Sequence, residues 1–239
     1  MCLNEKPVIL IRADSLDIRK DGSSNYADTL NKKLFFTKPT KFHDPTITNG
    51  NNTGMHDNLD GSILSNPKQI DDNLNLDRYD LDDKKSDILL YNLSYIGVKE
   101  TDITSEFNPT NLSRKSFSPD FINDVKEANI ANHRGLSFIR INDFSKLIAY
   151  LNKAYEYHFL ARWINYDFKP FTSIPKTEIE MPYEDFLKNN FINLPSKSQM
   201  HEFRACLQIN FCSSETGKLI DYSGLKDISF TAINSALFT

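Results

Sequence analysis

The sequence predicts an α+β fold: a mixed, mainly antiparallel sheet core with short helices. Three observations carry that prediction. Residues 203–211 alternate apolar and polar side chains with a period of two, the pattern of a half-buried strand. Residues 119–129 and 142–155 place apolar side chains at helical spacing. The strand and helix patterns follow one another irregularly and the chain ends rich in strand, which fits α+β better than a doubly wound parallel sheet.

The 239 residues fit a single domain with its own core. Hydrophobic residues make up 39% and aromatic residues 12%, so wholesale disorder is not expected. In order along the chain, the short β-branched run Val8, Ile9, Leu10 and Ile11 predicts a buried first strand that ends where Arg12 and Asp14 begin. Asp21 and Gly22 signal a turn, and Ser24 or Asn25 caps a short helix to about Lys33. Leu34 to Thr37 is the next strand, stopped by Pro39. Residues 44–87 are rich in Asn, Asp and Gly; they predict a long polar surface excursion with a short helix near Ile70. Residues 88–98 predict a strand or hairpin. Ser118 caps the helix at 119–129, with Pro119 in its first position and Phe121, Ile122 and Val125 on its apolar face. Leu136 to Ile141 is a strand, and Asn142 caps the helix that follows. Residues 159–166 form a strand, and 182–190 a short helix. After 203–211 the chain is expected to turn back into a strand at 218–222, with a last strand at about 228–233.

The formal net charge is only −4, so no global basic field attracts nucleic acid. The charge is uneven, however. Residues 12–41 hold seven basic side chains against four Asp, a net of +3, and residues 44–87 hold ten Asp against four basic side chains, a net of −6. The three cysteines, Cys2, Cys206 and Cys212, form neither a disulfide framework nor a CxxC pattern. Cys206 is expected as a small buried residue of its strand. No signal peptide, membrane span or glycine-rich phosphate loop is apparent, which predicts a cytoplasmic protein with no membrane partner. The five histidines show no zinc spacing.

Three places combine chemistry with strand ends. Arg12 in Ile11-Arg12-Ala13-Asp14-Ser15 offers a planar fork to a phosphate or carboxylate, or pairs with Asp14 or Asp17. Thr37 to Pro45 sets hydroxyls beside Phe42 and a His43-Asp44-Pro45 turn; the aromatic can stack on a planar ring or simply join the core. Glu202 stands at the mouth of the 203–211 strand, on the side of Arg204. A carboxylate fixed there can stabilise an oxocarbenium-like sugar, or merely pair with Arg204 or Lys197.

Taken together, these motifs resemble two families. Arg12-Ala13-Asp14-Ser15 looks like the first-strand R-x-D-S run of toxin-type mono-ADP-ribosyltransferases. Phe42-His43-Asp44-Pro45, His133-Arg134-Gly135-Leu136 and Glu202-Phe203-Arg204 resemble an uncharacterised bacterial family with a Phe-Asn-Asp-Pro turn and a late Glu-x-Arg strand. The chain departs from these patterns at His43, at Met200 and in lacking a Ser-Thr-Ser strand. The resemblance implies an ADP-ribosyltransferase-like arrangement and an enzyme that cleaves NAD and transfers ADP-ribose to a protein or nucleic-acid acceptor, as a toxin or defence protein. It implies Glu202 as the catalytic carboxylate, with Glu178 and Glu180 as rivals. The NAD-binding set it implies is Arg12, Thr37, Phe42, Asp44 and Arg204, with Phe42 and Thr37 on the nicotinamide side. It further requires Arg12 and Glu202 to point into one cleft. The acidic segment supports a different class, a non-enzymatic immunity or anti-defence protein that blocks a protein partner.

Overall fold

A computed structural model of the chain describes residues 6–37, 62–70, 73–80, 89–130, 136–154, 159–166, 195–209 and 217–238. Its strands are β1 (Ile9–Ser15), β2 (Lys33–Thr37), β3 (Ser62–Ile70), β4 (Asn73–Asp80), β5 (Leu89–Val98), β6 (Leu136–Ile141), β7 (Phe159–Trp163), β8 (Glu202–Ile209), β9 (Gly217–Asp221) and β10 (Phe230–Ile233). The helices are α1 (Asn25–Leu30), α2 (Pro119–Ile130) and α3 (Phe144–Ala154). The fold is α+β with a mainly antiparallel sheet. Among the described residues, no helix is long and apolar enough to cross a membrane.

Eight of the strands form one sheet, which runs β10-β6-β1-β5 and then branches. β8 pairs with β5 from Leu89 to Ile96 and so occupies one edge of it. β1 and β2 therefore share the other edge. β1 takes Ile96, Gly97 and Val98, while β2 meets β5 only where Thr37 stands opposite Asn92. Between those contacts the two strands part from β5, and the sheet forks. α1, capped by the Ser24 hydroxyl that accepts from the Ala27 N–H at 3.1 Å, connects the two prongs.

Each face of the sheet carries an apolar cluster. One contains Leu10, Leu34, Phe36, Tyr95, Phe203 and Leu207 and is covered by α3 through Leu147. The other joins Ile9, Ile11, Val98 and Phe138 to Phe121, Ile122 and Val125 of α2. The second cluster shows that the predicted apolar face of α2 is correct, and the Ser118 hydroxyl accepts from the Phe121 N–H as its cap requires. Gly97 is where the Trp163 ring crosses β5. A Cβ there would lie 2.4 Å from the ring, so only glycine fits.

Several expectations need correction. β1 does not stop at Ile11. It continues through Ser15, because β6 pairs with it residue by residue from Leu10 to Ser15 and holds even the charged positions extended. The segment expected as an excursion with a helix near Ile70 contains β3 and β4, which pair with each other in a separate two-stranded ladder. The alternation Leu74, Leu76 in Asn73–Asp80 fits a strand, and an isolated period-two pattern favours pairing over a helical turn. β9 does not return onto β8. It pairs with β2 from Lys33 to Thr37. The cap of α3 is Asp143, whose carboxylate accepts from the Lys146 N–H at 3.2 Å, while the Asn142 amide donates to the Ser229 hydroxyl. The helix expected at 182–190 lies outside the described residues.

A candidate active site at the fork of the sheet

Side chains of residues paired across antiparallel strands lie on the same face, and neighbours along a strand alternate. Ile11 pairs with Ile96 and Ile96 with Glu202, so Glu202 lies on the Ile11 face. Ser94, Arg204, Asn92 and Cys206 share that face, by the pairs Ser94–Arg204 and Asn92–Cys206. Thr37, opposite Asn92, joins them. Arg12 alternates with Ile11 and therefore emerges on the other face, with Tyr95 and Asp14. The single cleft shared by Arg12 and Glu202 is not what the registers give.

The two faces nevertheless meet at Ser94. The Arg12 guanidinium reaches into the fork and donates to the Ser94 carbonyl at 2.5 Å, satisfying an acceptor beyond the last β1–β5 pair. It also pairs with Asp14 at 2.8 Å, whose other oxygen accepts from the Thr29 hydroxyl of α1 at 2.6 Å. Tyr95 is buried beside this pair. Burial raises its phenol well above the ordinary tyrosine range, so it stays neutral. On the opposite face the Ser94 hydroxyl donates to Glu202 Oε1 at 2.5 Å, and Arg204 Nε donates to the same oxygen at 2.8 Å. Glu202 is 4% exposed and Arg204 3%, so this is a buried charged pair rather than a surface contact.

The backbone that delivers Glu202 is held on several sides. His201 sits in the left-handed region at φ 46°. Its carbonyl accepts from the Gly97 N–H, and its imidazole lies 2.8 Å from Asp124 of α2 and 3.8 Å from Asp102. The Phe121 ring stands 5.0 Å from the imidazole in an edge arrangement. The Glu202 N–H donates to the Tyr166 hydroxyl at 3.2 Å.

The structure thus brings Glu202, Arg204 and Thr37 to one face and links Arg12 to them through Ser94. Phe42, Asp44, Glu178 and Glu180 lie outside the described residues. Glu202 takes a hydroxyl donor from Ser94, which lies 108 residues away in the sequence. His201 likewise has no marker in the sequence beyond its place before Glu202. Its strained backbone and two carboxylate neighbours have no signature at the spacing of a metal motif. Among the described residues no group of three or more His, Cys, Asp and Glu side chains could hold a metal ion. A cavity of about 570 Å³, lined in part by Leu10, Ile141, Asp143, Phe144 and Phe203, opens near the start of β1, away from Glu202. No known protein family, curated protein or solved structure matches the chain.

Proposed function

We propose that the chain is an ADP-ribosyltransferase-like enzyme of the cytoplasm, a toxin or defence protein, that cleaves NAD and transfers ADP-ribose to a protein or nucleic-acid acceptor. Glu202 is its catalytic carboxylate. One observation carries this reading. Glu202 Oε1 accepts from both Ser94 and Arg204, which fixes the carboxylate, while Oε2 has no hydrogen-bond partner among the described residues. An oriented carboxylate with a free oxygen, in a low-dielectric setting, suits the positive charge that develops on the ribose as the bond to nicotinamide breaks. Arg204 and Thr37 share its face and belong to the NAD-binding set. In this reading Arg12 acts through the Ser94 carbonyl at the fork, since its guanidinium is already engaged by Asp14. Phe42 lines the nicotinamide side with Thr37, and Asp44 belongs to the NAD-binding set, as the sequence resemblance implies.

The test is nicotinamide release from NAD by the full chain, together with thermal unfolding in the presence of NAD. At a concentration of about 100 times Kd, linkage gives about 2.7 kcal/mol of stabilisation. For a chain of this size that is a rise of roughly 5–10 °C. Glu202→Gln is expected to keep the NAD-induced rise and to lose nicotinamide release. Full release by Glu202→Gln, or neither release nor a thermal rise in the wild type, overturns the proposal.

One observation favours a second reading. β3 and β4 pair with each other in a ladder separate from the main sheet, and β4 carries Asp77 and Asp80 within the acidic run of the sequence. In this reading the chain is a non-enzymatic immunity or anti-defence protein whose acidic surface blocks a basic protein partner. Replacing Asp71, Asp72, Asp82 and Asp83 by Lys then abolishes partner capture while the unfolding temperature and any NAD response stay unchanged.

A further inference from the structure

Arg12, Arg140 and Arg204 lie on three different strands of the main sheet, and two of them have carboxylate partners. Arg12 meets Asp14, and Arg204 meets Glu202. Arg140 of β6 is 8% exposed, forms no ion pair among the described residues, and keeps its Nε buried without a hydrogen-bond partner. Burial pulls its pKa below the usual arginine range because the charged form loses hydration. A guanidinium nevertheless stays protonated, so the desolvation of its charge has no compensating ion pair among the described residues.

The registers define what surrounds it. Arg140 stands between Ile11 of β1 and Thr231 of β10, all three on one face. Ile11 is sealed from solvent, whereas Thr231 is exposed on the last strand of the sheet, so the row is closed on one side and open on the other. Neither β6 nor β10 contains an acidic residue. The row therefore offers a planar fork of N–H donors beside an exposed residue that carries a hydroxyl, with no acidic residue on either strand to compete for them.

We propose that Arg140 and Thr231 form an oxyanion site at the β6–β10 edge, which takes the carboxylate or phosphoryl group of a small ligand. This goes beyond the reading built on Glu202. Both side chains lie on the same face, but Ile11 and Ile96 stand between them, three strand spacings or about 14 Å in all. Ile11 belongs to the apolar cluster under α2, so the two places do not form one pocket.

The test titrates the full chain with inorganic phosphate and, separately, with acetate, at ionic strength held constant with sodium chloride. The readouts are the unfolding temperature and, for phosphate, the phosphorus NMR linewidth. The wild type is expected to show a saturable rise with at least one anion. A response to phosphate alone identifies a phosphoryl ligand, and a response to acetate alone a carboxylate. Arg140→Met is expected to unfold at the same temperature as the wild type or higher and to lose the response. Arg140→Lys keeps a charge without the fork and is expected to bind about tenfold more weakly. Thr231→Val, at an exposed position that does not threaten the fold, also weakens binding. No saturable response in the wild type at tens of millimolar of either anion overturns the proposal, and so does an equal response in wild type and Arg140→Met.

Discussion

β5 and β8 are neighbours in the middle of the sheet, and their two faces were built to different rules. On one face stand Leu93, Tyr95, Phe203, Ala205 and Leu207, all buried, under α3. On the other, one residue along each strand, stand Asn92, Ser94, Glu202, Arg204 and Cys206. Asn92, Glu202, Arg204 and Cys206 are as deeply buried as the apolar set. The first face stabilises the fold by removing apolar surface from water. The second gains little by comparison. A buried charged pair contributes about as much as, or less than, well-packed apolar residues of the same volume. Folding alone does not call for Glu202 and Arg204, and that asymmetry between two faces of the same strands locates the candidate site.

The largest effect is expected on the apolar face. Phe203 meets the Trp163 and Phe144 rings edge-on, each at 5.4 Å between centroids. Phe203→Ala removes both contacts and leaves a cavity, at a cost of about 3–5 kcal/mol. Thermal unfolding should fall by roughly 10 °C. A fall of only a degree or two would mean that the face collapses to fill the space and that its packing is not what holds β8.

The polar face should respond differently to single and paired changes. Arg204→Met leaves Glu202 buried with the Ser94 hydroxyl as its remaining side-chain donor among the described residues, and breaking one side of such a pair costs about 3 kcal/mol. The double variant Glu202→Gln with Arg204→Met removes both charges and should recover most of that loss. Additive costs in the double-mutant cycle would show that the two side chains are not coupled, and the buried-pair account of this face would fail.

The contrast between the faces was only partly visible in the sequence. β8 was readable because Phe203, Ala205 and Leu207 alternate with polar residues, and the same alternation placed Glu202 and Arg204 on one side. The apolar faces of α2 and α3 were readable from helical spacing for the same local reason. The apolar run alone ends β1 at Ile11, since Arg12 and Asp14 follow it, whereas pairing with β6 keeps them in the strand. Pairing of this kind is set by a strand more than 120 positions away in the chain and leaves no local mark. The same holds for the fork. Nothing near Arg12 indicates that β2 and β1 would share one edge of β5, and nothing near Glu202 points to Ser94. Contacts within a strand could be read, while contacts between strands distant in sequence had to come from the fold.

Ser94 is the residue at which the two faces are joined, and it allows the finest test. Its carbonyl serves Arg12 and its hydroxyl serves Glu202, so Ser94→Ala separates the two roles without touching either charged side chain. The Arg12 contact is to the backbone and survives. The Glu202 carboxylate loses one of the two donors to Oε1 and keeps Arg204. The expected cost is about 1 kcal/mol, the net value of one hydrogen bond, or roughly 3 °C in unfolding temperature. If Glu202 works as proposed, nicotinamide release should fall by far more than this loss of stability explains, because a carboxylate held from one side no longer keeps its orientation. Ser94→Thr, which retains the hydroxyl, should restore release. Equal activity in Ser94→Ala and the wild type would mean that the serine only fills space at the fork, and that Glu202 is oriented by Arg204 alone.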